Sequence, residues 1–123
     1  PSLWANDRLA GNGTGNPRLL TNNPSWEAGL YTGAYVLSSN TVNVNDGNWH
    51  HIAITRLGTT ATLWIDGVSR DTTTLTTSFT TNGMGIYDWD TNGCVDGEVA
   101  LWRFTNGQAL YTTTFTPPTT YLS

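Results

Sequence analysis

"DGNWHHIAITRLGTTATLWIDG" (residues 46–67) decides the fold. From Trp49 to Leu57 the residues alternate. In an extended strand His50, Ile52 and Ile54 share one face, and His51, Ala53 and Thr55 the other. "GTT" (58–60) turns the chain, and "ATLWID" (61–66) alternates again. There Ala61, Leu63 and Ile65 point one way, and Thr62 and Trp64 the other. Asp66-Gly67 closes a second turn. The period is two throughout, so the stretch is strand, turn, strand, turn.

Outward from it, the signals remain those of strands. "RLLTN" (18–22) is a short strand candidate. "AGLYTGAYVLSS" (28–39) is a longer one, with Gly29 and Gly33 marking bends or bulges. "RDTTTLTTSFTTNG" (70–83) is low in complexity but β-branched, and Leu75 and Phe79 recur through it, so it is expected to be a strand or extended edge. "MGIYDW" (84–89) and "GEVALWRFT" (97–105) follow the same pattern. Residues 1–17, dense in Gly and Asn, form a loop or the ragged edge of a domain that spans 18–123. Gln108–Tyr111 suits a single helical turn, and Pro117-Pro118 prevents further sheet pairing. No stretch offers a crossover helix, which removes parallel βαβ architecture. The expectation is an all-β, antiparallel two-sheet sandwich or jelly roll.

Composition narrows the function classes. The 123 residues suit one domain, carry a net charge of -4, and contain no lysine. The five arginines, Arg8, Arg18, Arg56, Arg70 and Arg103, are scattered. Nucleic-acid binding needs clustered cations to displace counterions from phosphates, so it is not expected. No apolar run is long enough to insert in a membrane. Cys94 is the single cysteine, so neither an internal disulfide nor a cysteine zinc site can form.

"DWDTNGCVDGEV" (88–99) admits three readings: a metal loop, a glycan-contact loop, or a polar turn. Against a calcium loop of the EF-hand type, Asp88, Asp90 and Asn92 take positions one, three and five. Gly93 takes six and Asp96 nine, but position twelve is Val99, with Glu98 one short. A Ca²⁺ ion would need Glu98 to swing in. Glycan recognition needs an aromatic face for the apolar side of a sugar, with amides or carboxylates for its hydroxyls. Trp89 and Asn92 offer that pairing, and Trp26 and Trp64 are further candidates. The packing alternative stands beside it, since a buried Trp contributes several kcal/mol on the order of 3–5. Trp49 and Trp102 are assigned to the core. His50 and His51 point to opposite faces and cannot share a metal. His50 is expected to be packed with its ring hydrogen-bonded, and His51 to be exposed.

At Asp46-Gly47, Trp49-His50, Ile52/Ile54, Gly58–Thr60 and Leu63–Gly67 the chain resembles the laminin-G-like, concanavalin A-like jelly-roll superfamily. Its closing segment, "GEVALWRFTNGQALYTTTFTPP" (97–118), is similar to the end of such domains in bacteriophage virion proteins. The resemblance runs from about Arg18 to Pro118. It departs from the family at residues 1–17, which lack the usual opening strand pair, and at Ala100, where an acidic residue is usual.

The resemblance implies a non-enzymatic module of a virion, in a tail fibre or decorating the capsid. Other virion subunits and host-surface glycans would be its partners, and Ca²⁺ near the loops would suit it. The alternative is a secreted or cell-surface bacterial adhesion domain with the same fold. Glycoside hydrolases on this superfold carry a Glu-x-Asp-x-x-Glu strand, which this chain lacks. Asp88/Asp90 and Asp96/Glu98 are instead i, i+2 pairs in or beside Gly-containing loops. Without opening strands, an open sheet edge would recruit another strand, so an oligomer or a longer chain is expected.

Overall fold

The computed structural model describes residues 18–22, 27–31, 35–44, 46–76, 100, 103 and 105–119. Six strands form within them: β1 (Arg18–Asn22), β2 (Glu27–Tyr31), β3 (Tyr35–Asn43), β4 (Ile52–Leu57), β5 (Thr60–Ile65) and β6 (Val68–Thr74). They make two three-stranded antiparallel sheets, ordered β1-β2-β3 and β4-β5-β6. β3 packs across β5 and β6, so the sheets face each other as a sandwich.

The second sheet is built from two-residue hairpins. Leu57 pairs with Thr60 around Gly58-Thr59, and Gly58 has φ 61°. Glycine at the first turn position, with positive φ, matches the strand twist. Ile65 pairs with Val68 around Asp66 (φ 53°) and Gly67 (φ 80°). Two successive positive φ values define the primed turn for which Asp-Gly is a preferred pair. Gly67 has a second reason to be glycine. A Cβ there would lie 1.8 Å from the Phe115 carbonyl oxygen, and the Phe115 N–H donates to the Gly67 carbonyl at 3.1 Å.

Register then sorts the side chains. Ile52 faces Ile65 and Ile54 faces Leu63, so the aliphatic residues share the inner surface. Ala61, Leu63 and Ile65 are fully buried there, against Ala28 and Leu30 of β2, Leu37 of β3, and Val44. Burying each larger aliphatic side chain stabilises the fold by roughly 1.5–3 kcal/mol. Leu75 packs against the same cluster just after β6.

The first sheet is irregular. Between the pairs Gly29↔Ser38 and Glu27↔Asn43, β3 runs through four residues, Ser39 to Val42, opposite Ala28 alone. The interruption leaves backbone groups to satisfy. Ser39, the one buried polar residue of the described set, does so. Its Oγ accepts the Ala28 N–H at 3.0 Å and donates to the Val42 carbonyl at 3.2 Å. Asp71 of β6 reaches between the sheets, where its Oδ2 accepts the Ser38 N–H at 2.9 Å.

Four expectations change. Residues 28–39 are not one bent strand; they divide between β2 and β3. β4 begins at Ile52; just before it, the His50 ring and the His51 N–H bond to the Asp66 carboxylate. Trp49 is 54 % exposed and no part of the core. Gln108–Tyr111 contains no helical turn; Tyr111 is instead held by ring packing. Residues 84–89 and most of 97–105 lie outside the described residues, as does Trp102. No described helix is long and apolar enough to cross a membrane.

Candidate functional site

Most of the residues singled out from sequence, Asp88, Trp89, Asp90, Asn92, Asp96, Glu98 and Trp26, lie outside the described residues. Among the described residues no group of three or more His, Cys, Asp or Glu is arranged to hold a metal ion. Trp64 is described. It is 4 % exposed, its Nε1–H donates to Thr55 Oγ1 at 2.8 Å, and Phe115 packs on it at 5.7 Å between ring centres. Its indole shapes a surface rather than offering an open face for a sugar to stack on.

That surface is an open groove of about 590 Å³ on the outer face of β4-β5-β6. Thr55, Thr62, Trp64 and Thr72 form part of its lining, and residues 111–114 lie along it. Among the described residues that line it none is charged, and all but Leu57 and Trp64 carry a hydroxyl group. The Thr62 and Thr72 hydroxyls are 3.5 Å apart, a cross-strand pair of the kind that antiparallel register brings together. The strand pattern places these threonines outward because the inner positions belong to Ala61, Leu63 and Ile65.

At the end of the same sheet lies a charged bridge. His50 Nδ1 is 2.8 Å from Asp66 Oδ2, and His50 Nε2 is 2.9 Å from Asp46 Oδ1. The two aspartates begin the Asp46-Gly47 and Asp66-Gly67 pairs. Each holds more than the histidine. Asp66 Oδ1 accepts the His51 N–H at 2.8 Å, while the Asp66 N–H donates to the His51 carbonyl at 2.9 Å. Asp46 Oδ1 accepts the Asn48 N–H at 2.9 Å, the local turn bond typical of aspartate.

Carboxylates only accept, so both contacts require His50 to carry a proton on each nitrogen. Partial burial opposes the charge, but hydrogen bonds to Asp66 and then Asp46 outweigh it and raise the pKa above the ordinary histidine value. Bonds from the Asn48 side chain, from His50 and from the Asn48 backbone hold the Asp46 carboxyl far below the usual carboxylate range. With both nitrogens occupied, His50 has no lone pair with which to take a proton from a substrate.

His51 behaves in the opposite way. Burial lowers its pKa, against a weaker pull from Asp66. Its ring stands edge-on to Tyr111 at 5.6 Å and to Phe115 at 5.4 Å, and those two rings stack at 3.6 Å. Its buried Nδ1 has no hydrogen-bond partner among the described residues. His50 is thus packed and hydrogen-bonded as expected, with its side chain 13 % exposed. His51, expected outside, is half-buried under the C-terminal aromatics. Sequence reading missed Asp46 and Asp66 as the partners of His50; the only available signal was that both begin an Asp-Gly turn flanking the same hairpin.

Comparison with known proteins gives one finding. A family model, Laminin_G_3 of the concanavalin A-like lectin/glucanases superfamily, matches residues 2–105. The match takes in residues 2–17 and ends before the Phe-Thr-Pro-Pro segment. No curated protein and no solved structure matches the chain. A sandwich of antiparallel sheets, in a chain matched over most of its length, places the family: the chain belongs to the concanavalin A-like lectin/glucanases superfamily.

Proposed function

We propose that this chain is a non-catalytic sandwich module of a bacteriophage particle, in a tail fibre or decorating the capsid. It attaches to neighbouring virion subunits and to glycans on the host surface. The observation that carries the recognition role is the uncharged, hydroxyl-lined groove over β4-β5-β6. Such a lining matches a neutral polyhydroxylated ligand, whose own hydroxyls exchange donors and acceptors with threonine side chains. The particle address rests on the resemblance of "GEVALWRFTNGQALYTTTFTPP" (97–118) to the closing segment of virion domains. Asp88, Asp90, Asn92, Asp96 and Glu98 are the residues that would hold a Ca²⁺ ion beside Trp89.

The non-catalytic reading has a chemical argument. Retaining or inverting hydrolysis needs two carboxyls free to act as acid and as base or nucleophile. Among the described residues, Asp46, Asp66 and Asp71 are each engaged in hydrogen bonds to backbone N–H groups or to His50. A secreted or cell-surface bacterial adhesion module would use the same groove, and differs only in address.

The test of the recognition role is binding to an array of bacterial-surface glycans, once with Ca²⁺ and once with chelator. Binding without release of reducing sugar is the expected result. Hydrolysis abolished by Asp88→Asn or Glu98→Gln would replace the module with an enzyme. No binding in either buffer, with the fold intact by circular dichroism, would remove the glycan and leave subunit attachment alone.

A further inference from the structure

The Asp46–His50–Asp66 bridge is unequal on its two sides. Toward the β5–β6 turn three bonds act together: His50 Nδ1–H to Asp66, the His51 N–H to the other Asp66 oxygen, and the Asp66 N–H to the His51 carbonyl. Toward residues 46–49 the bridge is the single contact from His50 Nε2 to Asp46. Asp46 is otherwise bonded only within its own turn, to Asn48, among the described residues. Trp49, more than half exposed, sits between that turn and His50.

We propose that this bridge is a proton-operated latch. With a proton on both ring nitrogens, His50 holds the Trp49-bearing segment 46–49 against the β5–β6 turn; losing one proton lets that segment go.

The chemistry follows from the acceptors. A neutral imidazole has one N–H, and Asp66, itself fixed by two backbone bonds, keeps it on Nδ1. The bare Nε2 lone pair would then face the Asp46 carboxylate across 2.9 Å, replacing a charge-assisted bond with repulsion. The titratable groups that face His50 among the described residues are Asp46 from its own side and Asp66 from the β5–β6 turn. The adjacent His51 ring is buried and disfavours a charge. The sign is fixed: a raised histidine pKa means the latch is shut below the ordinary histidine value and opens as pH rises through the folded value. The Trp49-bearing segment would therefore be ordered in mildly acidic medium and looser in alkaline medium.

The test is nuclear magnetic resonance on the whole 123-residue chain, titrated from about pH 5 to about pH 9, the range histidines sample. Long-range proton–nitrogen spectra report the His50 tautomer, and heteronuclear NOE values report the order of the Gly47, Asn48 and Trp49 amides. We expect His50 to be doubly protonated beyond the ordinary histidine titration, and those three amides to lose order in step with it. Asp46→Asn, which keeps the shape but removes the charge, shifts the His50 titration downward and abolishes the pH-linked change in order. Amides of β5 and β6 serve as the control for an intact fold. A neutral, singly protonated His50 below its ordinary titration, or segment order that stays constant across its titration, would overturn the latch. The wild-type titration decides this even if Asp46→Asn fails to fold.

Discussion

The two sheets solve one problem, satisfying every buried backbone group, by different means. β4-β5-β6 does it with nearly continuous ladders, broken by a single extra residue, Arg70, between the pairs Leu63↔Asp71 and Trp64↔Ser69, and with turns whose dihedrals suit the strand twist. β1-β2-β3 is interrupted, and a buried serine hydroxyl takes the bonds the ladder drops. One sheet is therefore vulnerable at its turns, the other at a single side chain.

That contrast can be broken deliberately. The largest effect is expected from Gly67→Ala. The new methyl would meet the Phe115 carbonyl and sit on a positive-φ backbone, so a loss of about 4 kcal/mol or more is expected in urea unfolding. Ser39→Ala should cost about 2 kcal/mol, because the Ala28 N–H and the Val42 carbonyl both lose a buried partner. A loss of only a few tenths there would mean the interruption is satisfied some other way. Gly58→Ala isolates the dihedral alone, since nothing lies within 4 Å of its added methyl; about 1 kcal/mol is expected. If Gly58→Ala equalled Gly67→Ala, the close approach of Phe115 would not matter.

The smallest effect is in pH dependence, where the two adjacent histidines oppose each other. The His51 contribution is present above the ordinary histidine value and lost as pH falls, because its buried ring must gain a charge. The His50 contribution runs the other way, lost as pH rises. Replacing His51→Phe should flatten the acid side of a stability–pH curve and leave the alkaline side in place. A variant that changed both sides equally would show that the histidines are not independent.

The same contrast explains what could be read from the sequence. β4, β5 and β6 were legible because alternation and turn residues agree: Ile52 and Ile54 with Leu63 and Ile65, then Asp66-Gly67. The hairpin between β2 and β3 was not, because Gly29 and Gly33 signal a bend as readily as a reversal. Trp49 was misassigned by its place beside a patterned strand; its surroundings belong to side-chain bonding around Asp46 and Asp66, which no periodicity encodes. His51 was expected outside because alternation gives the face, not what covers it. Its cover, Tyr111 and Phe115, is distant in sequence. Of the site candidates, Trp64 alone lies among the described residues, where it is buried in the lining of the groove. The groove itself was illegible for the same reason, since residues 111–114 meet β4-β6 only in three dimensions.

The central claim, a module of a virus particle, is tested most directly by mass spectrometry of phage particles purified on a density gradient from the source culture. Peptides from this chain should co-purify with the particle and remain after a high-salt wash. Their absence from intact particles, with the chain recovered instead from the bacterial surface or the medium, would contradict the virion reading and make this an adhesion domain of the bacterium.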